Sequence, residues 1–247
     1  MPRWGQHTLT DTGVIHRLCN HAGINHKDVA LEVGCGSGNI TSALLSTASK
    51  VIGIEIDEKY VQTLQKKFRH EIEDGRFVLM HGDALKIDFP HFNKFVSNIP
   101  YNISSPLTFK LLKHKFDVAA VIYQKEFANR MVAQPGSKDY SRLSVVIKSY
   151  CRAEFMESVP KGAFKPHPEV TSAIVRLLPQ SEITVHNREI FEDMVRFVFT
   201  RKRKMVGKSL MEWSKMRKIE LKVPHDLRKK RPQEIEPEVY ARLADSI

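Results

Sequence analysis

At the end of an apolar run, the residues Asn98-Ile99-Pro100-Tyr101 bring together an amide, a rigid turn and an aromatic ring. An amine conjugated into a heteroaromatic base is a poor nucleophile, because its lone pair is delocalised into the ring. The Asn98 side-chain oxygen and the main-chain carbonyl of Ile99 can accept such an amine's hydrogens and turn its lone pair toward an electrophile. Pro100 fixes the turn that aims the carbonyl, and Tyr101 offers a face to a base turned out of its helix. The same four letters also read as a strand ending in an Asn-Pro-type turn with a packing tyrosine. The rest of the chain has to decide between these.

A second constellation lies upstream, in Leu31-Glu32-Val33-Gly34-Cys35-Gly36-Ser37-Gly38-Asn39. Gly34, Gly36 and Gly38 let the backbone turn sharply and approach a ligand closely. Glu55, 21 residues after Gly34, ends a second apolar run, where an acid in a doubly wound sheet accepts hydrogen bonds from ribose hydroxyls. Asp83 follows a third run, where a carboxylate can face an adenine amino group. Either acid alone also reads as a helix N-cap. The glycines are spaced G-x-G-x-G, with Asn39 where a dinucleotide fingerprint has its third glycine and Glu32 two residues ahead of the first. This E-x-G-x-G-x-G pattern resembles the first motif of class I S-adenosylmethionine-dependent methyltransferases. Their cofactor carries adenosine and a methionine tail without a pyrophosphate. Its sulfonium is already activated, so positioning and electrostatics suffice for transfer, and no metal site is expected.

The elements that must hold these groups are short β-branched runs alternating with helical patterns. Residues 29–33, 51–56, 76–81, 94–98 and 117–123 read as buried strands. Helical stretches between them imply crossover units and a parallel sheet. Residues 152–159 and 171–178 read as strands closing the sheet in antiparallel fashion. After Pro179 the pattern turns helical, with Ile190, Phe191, Met194, Val195 and Val198 on one face. The expected fold is α/β, a Rossmann-like methyltransferase sheet over residues 1–180 with a small all-helical domain over 181–247.

Composition bounds the partners. Hydrophobic residues at 42% and charged residues at 27% are ordinary for a globular protein. No apolar run reaches a membrane span, and the first eleven residues lack a signal-peptide core. Cys19, Cys35 and Cys151 are far apart, with no C-x-x-C pair, which points to a reducing compartment. A cytoplasmic protein is expected, monomeric by default. The net charge of +11 is concentrated: residues 200–231 hold thirteen Lys or Arg against three acids. Arg201, Lys202, Arg203, Lys204, Lys208, Arg228, Lys229 and Lys230 are the candidate contacts to a phosphate backbone.

Together, the stretches 97–112, 123–145 and 159–177 resemble successive motifs of the ribosomal RNA adenine dimethyltransferases, specifically the small-subunit, KsgA-type branch. Gly5-Gln6-His7-Thr8-Leu9 resembles that family's G-Q-x-F-L stretch, and residues 231–244 its C-terminal ending. The resemblance implies that S-adenosylmethionine is held by Gln6, His7, Leu9, Gly34, Gly36, Glu55, Asp83 and Asn98. It implies that Tyr101 and Phe164 sandwich the target adenine. The substrate would be two adjacent adenosines of small-subunit rRNA, inside a pre-ribosomal small subunit. Thr8 stands where the family usually has phenylalanine, a departure from the pattern that removes an aromatic ring from this stretch. Two alternatives remain at this point: a large-subunit enzyme of the erythromycin-resistance type, and a catalytically silent methyltransferase-like assembly factor.

Overall fold

The computed structural model describes residues 7–247. In the first part of the chain the elements are β1 (Thr8–Leu9), α1 (Thr12–Ala22), β2 (Val29–Val33), α2 (Asn39–Leu45), β3 (Lys50–Glu55), α3 (Glu58–Lys67), α4 (Arg69–Glu73), β4 (Phe77–His81), β5 (Lys94–Asn98) and α5 (Ser104–Leu111). They continue as β6 (Val118–Gln124), α6 (Lys125–Val132), α7 (Arg142–Tyr150), β7 (Arg152–Val159), β8 (Phe164–Lys165) and β9 (Ser172–Leu178). Three helices close the chain: α8 (Arg188–Phe199), α9 (Val206–Arg217) and α10 (Pro237–Asp245). No helix among the described residues is long and apolar enough to cross a membrane.

Seven strands form one sheet in the order β4-β3-β2-β5-β6-β9-β7. β2, β3, β4, β5 and β6 pair in parallel, and β9 runs antiparallel to β6. From β2 the chain winds outward to β3 and β4, then returns to place β5 on the opposite side. The topological switch point therefore lies between β2 and β5, where a crevice opens at the carboxyl ends of the strands. The glycine loop leaves β2 there, and Asn98 ends β5 there. One apolar core joins Leu18 of α1, Leu44 of α2 and Leu64 of α3 to Phe77, Val96, Ala120 and Ile174 of the sheet. Burial of these side chains is the main force holding the strand ends in place.

β1 and β8 form a separate antiparallel pair, Thr8 opposite Lys165 and Leu9 opposite Phe164. Further bonds follow from the Thr10 and Asp11 N–H groups to the Ala163 carbonyl. Asp11 then caps α1 by accepting from Val14 N–H at 3.0 Å. This ladder fixes the stretch that starts at His7 against the turn carrying Phe164.

The chain divides into two compact units: residues up to Ala128 with Glu154–Pro179, and Asn129–Ala153 with Gln180–Ile247. The division differs from a single cut at 180, because residues 129–153 go with the helical unit. The reason lies in α7, where Leu143, Val145, Val146 and Ile147 are all buried. Within that unit α7, α9 and α10 pack on α8. α8 buries Phe191, Met194, Val195, Val198 and Phe199, so Phe199 replaces Ile190 on the expected face. Trp213 is fully buried and donates its indole N–H to Asp193 at 2.8 Å. The basic stretch after Arg217 was expected to be helical, but up to Arg231 it holds only a short 3-10 turn at His225–Leu227. Pro224 stands directly before that turn and cannot donate a helical hydrogen bond.

Candidate active site

The glycine loop works through left-handed backbone. Gly34, Gly36 and Gly38 have φ of 76°, 52° and 77°, a region closed to most side chains. Gly34 N–H donates to the Ile54 carbonyl at 2.8 Å, locking the loop to β3. A Cβ on Gly34 would sit 3.4 Å from Pro100 Cδ, so the loop after β2 and the turn after β5 face each other across the switch point. Gly36 N–H donates to Glu55 Oε2 at 2.8 Å. Glu55, 1% exposed, also accepts from the N–H groups of Ile56 and Asp57, both at 2.9 Å. Its carboxylate is thus oriented by the backbone at the end of β3.

Two adjoining cavities share Gly34 and Pro100. One is lined by Ile54, Glu55, Gly82, Asp83, Leu85 and Ile103. The other is lined by His7, Leu9, Glu32, Gly36, Asn98 and Tyr101. Asp83 is partly exposed, with Oδ1 accepting from Leu85 N–H at 2.9 Å. Asn98 donates Nδ2–H to the His7 carbonyl at 2.8 Å. A carbonyl can only accept, so this bond fixes which end of the amide faces which way. The Tyr101 and His7 ring centroids are 5.5 Å apart at 31°, and Tyr101 bonds Ser172 through its hydroxyl at 2.6 Å. Burial pushes the Tyr101 phenol above its ordinary pKa.

Two buried groups of the cleft wall, the Glu32 carboxyl and the Cys35 thiol, are both held protonated by burial. Glu32 is 1% exposed, and burial pushes its pKa up to about 8, with the Glu55 charge adding to the rise. The Thr41 hydroxyl donates to its Oε2 at 2.6 Å. Its Oε1 has no hydrogen-bond partner among the described residues. The sequence placed Glu32 in the motif but gave it no task. Asn39 is likewise explained only by the structure, since its Nδ2 donates to the Leu9 carbonyl at 2.8 Å. It ties β1 to the glycine loop, which a third glycine there could not do.

The family model for ribosomal RNA adenine dimethylases matches residues 1–245. The chain belongs to this family. Relatives named "Probable ribosomal RNA small subunit methyltransferase A" include one from Methanosarcina barkeri, 41% identical over 98% of this chain and 86% of its own length. Another, from Pyrococcus furiosus, is 42% identical over 95% and 87%. A crystal structure of a dimethyladenosine transferase from Plasmodium falciparum is similar with a TM-score of 0.81, 32% identity and 96% of both chains covered. That of the 23S rRNA methyltransferase ErmE has a TM-score of 0.71 and 26% identity over 96% of this chain and 98% of its own. This chain is an S-adenosylmethionine-dependent rRNA adenine dimethyltransferase with the class I methyltransferase fold.

The family's expected site maps unevenly onto the structure. His7, Leu9, Gly34, Gly36, Glu55, Asp83, Asn98, Ile99, Pro100 and Tyr101 all line the two cavities. Gln6 lies outside the described residues. Phe164 departs from expectation: it is 0% exposed, belongs to the apolar core and lines neither cavity. Pairing of β8 with β1 draws it inward beside Leu9, so the ring that approaches Tyr101 is the imidazole of His7. Thr8, in place of the usual phenylalanine, sits in the cleft wall with Oγ1 3.9 Å from a Cβ placed on Gly36.

The basic residues also sort themselves. Lys202 donates to the Tyr140 carbonyl at 2.6 Å, and burial lowers its pKa. Its ammonium is a structural tether, against expectation. Arg201 lies over the Phe197 ring at 3.8 Å and pairs with Glu212 at 3.3 Å. Lys204 pairs with the same carboxylate at 3.0 Å. Arg203, Lys208, Arg228, Lys229 and Lys230 are exposed.

Proposed function

We propose that this enzyme methylates N6 of two adjacent adenosines in small-subunit rRNA, giving N6,N6-dimethyladenosine within a pre-ribosomal small subunit. The observation that carries this reading is the Asn98 amide, whose nitrogen is committed to the His7 carbonyl beside Tyr101. The acceptor end of that amide is what it offers to a substrate amine. Asn98 Oδ1 and the Ile99 carbonyl accept hydrogen bonds from the two N6–H groups, Pro100 holds that carbonyl in aim, and Tyr101 stacks on the base. Each transfer releases one N6 proton to solvent, so after the first transfer one hydrogen remains and the monomethylated amine re-presents itself with the methyl turned aside.

The cleft suits S-adenosylmethionine, which when bound supplies an electrophilic methyl on a sulfonium. Glu55 receives the ribose hydroxyls and Asp83 the adenine amino group. Gly34 and Gly36 leave room for the ligand beside their backbone, and His7, Leu9 and Asn98 close over the methionine end, with Gln6 as a further contact. Arg203, Lys208, Arg228, Lys229 and Lys230 bind the surrounding phosphates. The protein acts as a cytoplasmic monomer.

The small-subunit reading has the support of relatives at 41–42% identity that carry that name, against 26% for the large-subunit enzyme. The intact Asn98-to-Tyr101 turn and the acids Glu55 and Asp83 in the adjoining cavity argue against a silent assembly factor. Asn98→Ala tests the mechanism: transfer falls at least about a hundredfold, while the thermal midpoint and RNA affinity stay near wild type. Transfer within threefold of wild type would remove Asn98 from the chemistry.

A further inference from the structure

Ser172 is the first residue of β9 and is 0% exposed. A hydroxyl buried so completely costs stability unless it is bonded. Its hydrogen-bond partner among the described residues is the Tyr101 hydroxyl, at 2.6 Å. The strand start is itself pinned, because Ser172 lies opposite Gln124 of β6 and the next N–H, on Lys125, donates to the Thr171 carbonyl at 2.9 Å. Tyr101 opens a single 3-10 turn, Tyr101–Ile103, too short to hold a ring by its own packing. The facing ring is tethered from the same segment: His7 Nδ1 lies 2.9 Å from the Pro166 carbonyl. The segment between Phe164 and Ser172 thus grips both rings of the cleft from behind, although its own phenylalanine faces the core.

We propose that Ser172 is a positioning residue for methyl transfer, holding the Tyr101 ring through its hydroxyl so that the target adenine meets a platform already formed. The proposal rests on the reading that Tyr101 stacks on that base. A tyrosine free to rotate must be ordered when the base arrives, and the cost appears in the productive complex. A tethered ring has met that cost during folding. The tether runs from one hydroxyl to the other, so removing either should have the same consequence, and removing both should add nothing.

The test measures kcat and KM for undermethylated small-subunit RNA at saturating S-adenosylmethionine, for Ser172→Ala, Tyr101→Phe, the double variant and Tyr101→Ala. Cofactor affinity, from calorimetry, is measured on each. The expected result is a loss of about tenfold in kcat/KM for each single variant, no further loss in the double variant, and unchanged cofactor affinity throughout. A loss in Ser172→Ala with wild-type behaviour in Tyr101→Phe overturns the proposal, since Ser172 would then be merely a core residue. Wild-type behaviour of both with a collapse in Tyr101→Ala also overturns it while leaving the stacking role of Tyr101 intact. Normal turnover by Tyr101→Ala would sink the underlying stacking reading instead. If Ser172→Ala does not fold, Tyr101→Phe decides alone, because it keeps the ring and removes only the tether.

Discussion

At the scale of single residues, the cleft places a carboxylic acid where water cannot reach it. Glu32 has a folded-state pKa of about 8, against about 4.3 for a free glutamate. Between those values the folded protein holds a proton that the unfolded chain gives up. Its contribution to stability therefore falls as pH rises from about 4.3 to 8, and levels off above 8. The groups facing it are the Cys35 thiol on the glycine loop, the Thr41 hydroxyl on α2, Glu55 on β3 and Lys67 on α3, with the Cys19 thiol of α1 close enough to feel its charge. Glu32→Gln keeps the shape and removes the titration. Compared with wild type, its thermal midpoint should decline less between pH 5 and 8, as read by calorimetric melting at several pH values. Parallel curves for the two proteins would show that Glu32 is ionised in the folded state throughout.

At the scale of elements, two glycines of one loop make different demands. A Cβ on Gly38 would lie 2.5 Å from the Phe68 ring and 2.8 Å from Leu64 Cδ2, and its φ of 77° is unfavourable besides. Gly38→Ala should cost about 2–4 kcal/mol of stability, measured by denaturant unfolding. At Gly36 the nearest atom to a Cβ is Thr8 Oγ1, at 3.9 Å, so only the backbone penalty of about 1 kcal/mol applies. Its added methyl borders the cleft instead, and Gly36→Ala should weaken cofactor binding more than it weakens the fold. Both glycines stand out in the sequence because their spacing is local, as do the strands that carry them. The inward turn of Phe164 does not, since it depends on a pairing with Leu9 across more than a hundred and fifty residues. The Ser172 tether to Tyr101 and the Asn39 bond to Leu9 escape sequence reading for the same reason. Residues 142–150 show why the domain boundary was only partly legible: α7 is apolar on several sides, and periodicity cannot say which neighbours cover it.

At the scale of the whole molecule, the excess charge separates into cations that hold the helical unit together and cations left at its surface. Lys202→Ala should lower the thermal midpoint more than RNA affinity, because its ammonium serves the Tyr140 carbonyl. Joint replacement of Arg203, Lys208 and Lys229 by alanine should leave the midpoint near wild type and weaken RNA binding. Each lost phosphate contact should reduce the slope of log affinity against log salt by about 0.7–0.9, as read from filter binding over a salt series. The central claim concerns what is methylated, and one measurement addresses it directly. Purified enzyme and radiolabelled S-adenosylmethionine are offered to undermethylated small subunits, large subunits, naked rRNA and duplex DNA, and the labelled nucleosides are identified after digestion. The account predicts N6,N6-dimethyladenosine from the small-subunit RNA, lost with Asn98→Ala. Label confined to large-subunit RNA, or no transfer to any RNA by a protein that binds the cofactor, would contradict it.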